Sequence, residues 1–233
     1  MARLLVHVEG ETEEEFVDEL LAAYLLGRGF SLVTARLLGN PCPRAGRGGI
    51  RGWEASLRDI VRHLKEDRRV FTALMVDFYG MPGDWPGRLE VARLHGAAEK
   101  ASVIEARIVD AVQRELGGRF DSRRLVPLVM MHEFEALLFS DPEKLAASLY
   151  RPELAEQFVS IRNGFASPEE INDSLESAPS KRILKLYPRY EKPLGGALAA
   201  IEIGLETMRS ECQHFNDLLS RLERIPAELA ADR

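Results

Sequence analysis

The chain alternates between two hydrophobic rhythms. Short apolar runs occur at residues 4–8 (LLVHV), 30–37 (FSLVTARL), 70–76 (VFTALMV) and 124–131 (RLVPLVMM). Each is long enough for a buried strand and too short for a helix. Between them the apolar positions recur at helical spacing: Phe16, Leu20, Ala23 and Leu26; then Trp53, Leu57, Ile60 and Leu64; then Ile104, Ile108, Ala111 and Val112. Thr12 to Glu15 reads T-x-x-E, a capping box that opens the first helix, and Gly27 and Gly29 close it. Pro127 inside the fourth run predicts an edge strand or a bulge, because proline has no N–H for a central ladder. The strand–helix alternation predicts an α/β fold, a mostly parallel sheet covered by helices, through residue 141.

Beyond that point the pattern becomes helical. Ser167-Pro168-Glu169-Glu170 reads as a helix start, residues 194–205 as a helix of small apolar residues packing back on the core, and residues 214–225 as the last amphipathic helix. The tail from Pro226 is expected to fray. The expected organisation is therefore an α/β core over residues 1–141 and a helical extension over 142–233, packed on that core.

Composition narrows the classes. Of 233 residues 45% are hydrophobic, which supports a real core. No run of about 18 apolar residues occurs, so no membrane span is expected. The first strand begins too near the amino terminus to leave room for a signal peptide. Cys42 and Cys212 stand far apart without CxxC spacing, which indicates neither a zinc site nor a disulfide framework. A cytoplasmic protein is the expectation. The net charge of −6 argues against a surface coated for bulk nucleic-acid binding, but leaves room for a local basic groove.

The candidate chemistry lies where the apolar runs stop. The first ends on Glu9, the third on Asp77, and the fourth on His132-Glu133-Phe134-Glu135. In a parallel sheet the carboxyl ends share one edge, where such folds place their sites, so Glu9, Asp77 and Glu133 can converge. Read singly, Glu9 also suits a helix-start cap and Asp77 a loop starter. Of Glu133 and Glu135, two apart, one is expected to act, with Glu133 favoured. His132 fits a ligand, a phosphate partner or a satisfied core histidine, the last being the commonest outcome. The glycine-rich stretch 39–52 carries Arg44, Arg47 and Arg51 without any acid, and a basic segment brings Lys181, Arg182, Lys185, Arg189 and Lys192. Arginines there suit a phosphate chain, while a solvated loop and a solvated helix face are the plainer readings. There is no P-loop, no G-x-S-x-G and no zinc-type histidine pair.

VEGETEEEF (8–16), VDFYGMPGDWPG (76–87) and HEFEALLFSD (132–141) resemble a bacterial family, domain-of-unknown-function family 4276, and SPEEIN (167–172), APSKRI (178–183) and CQHF (212–215) extend that likeness. The family is TOPRIM-like, similar to topoisomerase–primase domains and to nucleases of the overcoming-lysogenization-defect type. The resemblance implies a TOPRIM-like α/β core with a helical carboxyl-terminal extension and a magnesium site in which Glu9 matches the glutamate and Asp77 the first aspartate. Tyr79 stands where a second aspartate is expected, and Glu133 or Glu135 is the candidate replacement. The implied function is metal-dependent phosphodiester cleavage of DNA or RNA. Glu9, Asp77, Glu133 and Glu135 would hold Mg²⁺ or Mn²⁺, Glu9 would serve as base, and Arg44, Arg47, Arg51 and Lys181 would contact the backbone. Its implied setting is phage or plasmid defence beside an ATPase partner, and the apolar faces of the carboxyl half suit a homodimer. The competing expectation is a non-catalytic TOPRIM-like partner or regulatory module of an ATPase.

Overall fold

The computed structural model describes residues 1–38, 49–171 and 177–231. One sheet of four parallel strands, β1 (Ala2–Val8), β2 (Phe30–Leu37), β3 (Val70–Asp77) and β4 (Leu125–Met130), is ordered β2-β1-β3-β4. The fold is thus α/β, and its sheet is wholly parallel, in keeping with a TOPRIM-like core. The four sequence runs become strands because they are short, apolar and covered on both faces. Leu4, Val6, Val8, Ala73, Met75 and Leu128 face one cluster, while Leu74, Val76, Leu125 and Val129 face another. Helices α3 (Trp53–Glu66) and α4 (Ala97–Leu116) cover the second face, burying Ile60, Leu64, Ile104, Ile108 and Val112.

The first face is covered by α1 (Glu11–Phe16), a π-helical turn (Val17–Leu21) and α2 (Ala22–Leu26), together with the helices that follow β4. Those are α5 (Pro142–Ser148), α6 (Ala155–Asn163), α7 (Pro179–Leu186), α8 (Lys192–Ile203), α9 (Leu205–Glu211) and α10 (Gln213–Ala231). β4 is an edge strand, as Pro127 predicts. Residues two apart send their N–H groups to the same edge. Pro127 has no N–H, and the Val129 N–H donates to the Glu105 carboxylate at 2.9 Å, so this edge offers little to a further strand.

Several expectations are corrected. The capping frame lies two residues earlier: Gly10 is the N-cap and Glu13, at N3, accepts from the Gly10 N–H at 3.1 Å. The buried face of the first helix is Phe16, Val17, Leu21, Ala22 and Leu25, while Leu26 is 46% exposed. The π-helical turn inserts an extra residue and moves the inward face past Leu20, Ala23 and Leu26. Ser167 does cap, accepting from the Glu169 N–H, but only a 3₁₀ turn, Pro168–Glu170, follows. The last helix does not end before Pro226; it runs through that residue, whose ring packs against Gly29 in its left-handed conformation (φ +103°). α8 turns its small residues, Ala197, Ala199 and Ala200, to the core and leaves Leu194, Leu198 and Ile201 exposed.

Candidate functional site

At the carboxyl edge of the sheet the turn after β1, the loop after β3 and the segment after β4 come together. The Asp77 N–H donates to Glu9 Oε2 at 3.2 Å, joining the ends of β1 and β3. The backbone at Gly80 lies so close that a Cβ there would stand 2.4 Å from Glu9 Oε1, so any larger residue would push the Glu9 carboxylate out of this position. After β4 the chain bends at Met131 and His132, is extended at Glu133, and then winds as 3₁₀ helix over Phe134–Ser140. This geometry lets both glutamates of HEFE reach one cation: Lys192 Nζ lies 3.7 Å from Glu133 Oε1 and 3.0 Å from Glu135 Oε2. Glu133 Oε2 also accepts from the Ser180 N–H at 2.8 Å, at the amino end of α7. The amino end of a helix is a favourable place for a carboxylate, because its peptide N–H groups point outward there.

A fifth acid belongs to the group. Glu13 is 6% exposed and its carboxylate turns back toward the strand end through its bond to Gly10. The T-x-x-E frame at Thr12 hides it in the sequence. A glutamate three residues after the strand-end glycine was the available signal. Lys192, one charge of the basic segment in the sequence, is the cation at the acid group. It starts α8, which closes on the site because Gly196 allows Thr12 and the Tyr190 hydroxyl within 3.2 Å of where a side chain would begin.

The electrostatics follow from burial and crowding. Burial, then the charges of Glu13, Glu9 and Glu135, push Asp77 well above the usual carboxylate range. Burial likewise raises Glu9 and Glu13, and lifts Glu135 to about 7 against the pull of Lys192. Burial opposes the Lys192 ammonium, but Glu135 and Glu133 outweigh it and strengthen its hold on its proton. Asp77 Oδ1 and Glu135 Oε1 are buried without a hydrogen-bond partner. Buried carboxylates with unused lone pairs are costly unless a cation or a proton meets them. Hard oxygen donors of this kind suit Mg²⁺ or Mn²⁺. Among the described residues, however, no three His, Cys, Asp or Glu side chains already stand in metal-holding positions.

The remaining candidates are distributed around this group. Arg44 and Arg47 lie outside the described residues. The described end of their stretch returns to the site: the Gly49 N–H donates to the Glu9 carbonyl at 2.8 Å, and the Arg51 carbonyl accepts from Trp85 Nε1 at 2.7 Å. Arg51 is exposed. Lys181, also exposed, follows Ser180 in the first turn of α7. His132 is not a core histidine: it is half-exposed and stacks on the Tyr79 ring, centroids 5.9 Å apart and planes 24° apart.

The family model DUF4276, a domain of unknown function, matches residues 8–223. No curated protein matches. Solved structures of the C-terminal region of the OLD protein of Xanthomonas campestris pv. campestris are similar to this chain. The platinum-phased one is 16% identical, covers 94% of each chain and has a TM-score of 0.40. The mercury-phased one is 16% identical, covers 94% of this chain and 97% of its own, and has a TM-score of 0.37. No helix among the described residues is long and apolar enough to cross a membrane.

Proposed function

The chain belongs to the DUF4276 family, and from that premise we propose that it is a metal-dependent nuclease that cleaves phosphodiester bonds in DNA or RNA. The observation that carries this reading is the meeting of Glu9, Glu13, Asp77, Glu133 and Glu135 at one sheet edge, with buried carboxylate oxygens left unpaired. Glu9, Asp77, Glu133 and Glu135 would hold Mg²⁺ or Mn²⁺. Such an ion supplies activation of water and charge stabilisation at a phosphate. Glu9, whose proton affinity burial raises, takes the proton of the attacking water at its carboxylate. Glu13 holds the Gly10 turn and so fixes the direction of Glu9. The Lys192 ammonium orients Glu133 and Glu135 and offers positive charge to a phosphate. Arg44, Arg47, Arg51 and Lys181 contact the backbone, fixing register without reading sequence. The setting proposed with this activity is phage or plasmid defence beside an ATPase partner. The exposed Leu194, Leu198 and Ile201 of α8 are the face proposed for a homodimer.

One observation favours the second reading, a non-catalytic partner module: Lys192 already supplies a cation to Glu133 and Glu135. Calorimetric titration of Mg²⁺ and Mn²⁺ into wild type, Glu9→Gln and Asp77→Asn, with a cleavage assay on the same samples, separates the two. Binding and cleavage that vanish together in both variants support the nuclease. A wild type that takes up no metal at millimolar concentration ends that reading and leaves the module.

A further inference from the structure

Beside the acids runs a line of flat groups that the chemistry above does not use. The Arg88 guanidinium lies 3.9 Å from the centroid of the Phe78 ring. Phe78 meets Tyr79 edge-on at 6.0 Å, and Tyr79 stacks on His132 at 5.9 Å. Tyr79 is two residues beyond Asp77, and His132 immediately precedes Glu133, so the stack stands between two of the strand ends that deliver acids. Tyr79 leaves 37% of its surface to solvent. The ring is thus held by Phe78 and His132 and still presents part of its surface to water. Arg88 makes no ion pair among the described residues, and its Nε has no hydrogen-bond partner.

On the far side of His132 a cavity of about 500 Å³ opens between β4, α4 and α10. Its apolar wall includes Leu128, Met130 and Met131, and its polar wall includes Glu105 and His214, joined at 2.8 Å. That volume is of the size that encloses a small planar ligand. Of its further charged lining residues, Glu169, Glu170 and Asp217 outnumber Arg221, a balance that disfavours a phosphate and tolerates the amino groups of a base.

We propose that Tyr79, backed by His132, is a stacking platform for an unpaired nucleobase, so that the site takes single-stranded nucleic acid, with Arg88 on the adjoining phosphate. The inference rests on the nuclease reading for what happens to the strand, but not for how it is bound. In a duplex, bases present only their edges in the grooves, and their faces are occupied by neighbouring pairs. A single strand can lay a face on an aromatic ring, and each such contact contributes roughly 1–3 kcal/mol irrespective of sequence. The cavity beyond His132 then receives the next base, which a paired strand cannot swing out without losing its partner.

The test uses the full chain with Ca²⁺ in place of Mg²⁺, a fluorescein-labelled short single strand, and the duplex of the same sequence. A second single strand carries 2-aminopurine, whose fluorescence is quenched on stacking. The expected result is tighter binding of the single strand, quenching on binding, and about tenfold weaker binding by Tyr79→Ala, as loss of one stacked base implies. Tyr79→Phe restores both affinity and quenching, and Arg88→Ala weakens single strand and duplex alike. Equal or tighter binding of the duplex, binding of neither, or Tyr79→Ala binding as wild type overturns the proposal. Metal titration and cleavage assays on the same preparations keep the two ideas apart. Quenching lost in Tyr79→Ala without any cleavage sinks the nuclease and leaves the platform. Cleavage that depends on Asp77 but is indifferent to Tyr79 does the reverse.

Discussion

Two ionic clusters in this molecule are built from the same kinds of side chain and differ in one respect. In the first, Glu223 of α10 accepts from Tyr24 of α2 at 2.5 Å, from Arg28 at 2.8 Å and from Arg209 of α9 at 2.8 Å. Arg209 also reaches Asn216, and the Arg28 guanidinium covers the Tyr24 ring. The oxygens of Glu223 are met, two cations face one carboxylate, and burial is outweighed by the Tyr24 and Arg209 bonds, so its pKa is lowered. In the second, five carboxylates gather around Lys192, Asp77 Oδ1 and both Glu135 oxygens have no hydrogen-bond partner, and burial drives Glu9, Glu13, Asp77 and Glu135 upward. The first cluster is complete within the chain and ties the helical layer together. In the second, one ammonium of the chain stands against five acids, so a proton or a further cation would lower its cost, which is the property expected of a binding site and not of a clamp.

The largest expected break in this comparison comes from Asp77→Asn. The amide keeps the shape and removes a buried charge, so the metal-free protein should melt at a higher temperature. Cleavage should fall on the order of 10³-fold, the scale for loss of a charge-stabilising group in an active site. Melting in chelator and turnover in Mg²⁺ must therefore move in opposite directions.

The pH dependence separates the clusters by sign. Glu135 is raised from 4.5 to about 7 by burial, so the stability it contributes is present below 4.5 and is lost as pH rises through about 7. A shift of this size corresponds to about 3 kcal/mol. Glu223 is lowered, so its contribution is present above 4.5 and is lost as pH falls through its folded value. Chelator-treated Glu135→Gln should lose less stability than wild type between pH 5 and about pH 8, and Glu223→Gln should lose less on acidification. Saturating Mg²⁺ should flatten the first difference and leave the second.

Glu223→Ala is a smaller effect on stability alone. It leaves Arg28 and Arg209 without their carboxylate in a partly buried setting, which costs about 2 kcal/mol, or roughly 5 °C of melting temperature for a chain of this length. Turnover per folded molecule should not change, because nothing in this clamp reaches the carboxyl edge of the sheet.

How much of the two clusters was legible follows from the range of the signals. Glu9, Asp77 and Glu133 could be read because each follows a short apolar run, and a parallel sheet assembles such ends. Pro127 marked its edge because the missing N–H is a property of the residue itself. The inward face of the first helix was not legible: nothing in VDELL distinguishes a π turn from an α turn, and that one extra residue moves the buried set from Leu20 to Leu21. Lys192 was hidden for a different reason. Its position depends on α8 packing against α1 through Gly196, a contact between elements far apart in sequence. Tyr24, Arg28, Arg209 and Glu223 were invisible as a group on the same ground.

Lys192→Gln gives the smallest change and the finest comparison, because it takes from the second cluster the cation that makes it partly resemble the first. The side chain is 43% exposed, so its pairing with Glu133 and Glu135 contributes on the order of 1 kcal/mol after solvent screening. Removing it should lower the melting temperature of the metal-free protein slightly. If the ammonium and a divalent ion compete for the same carboxylates, the loss should tighten Mg²⁺ binding by about fivefold, the same free energy expressed as affinity. Calorimetry at fixed ionic strength reads that change directly. Unchanged or weaker Mg²⁺ binding would mean that Lys192 does not stand in the ion's place. Its pairing with Glu133 and Glu135 would then be a second clamp, and the asymmetry between the clusters would rest on Glu9, Glu13 and Asp77 alone.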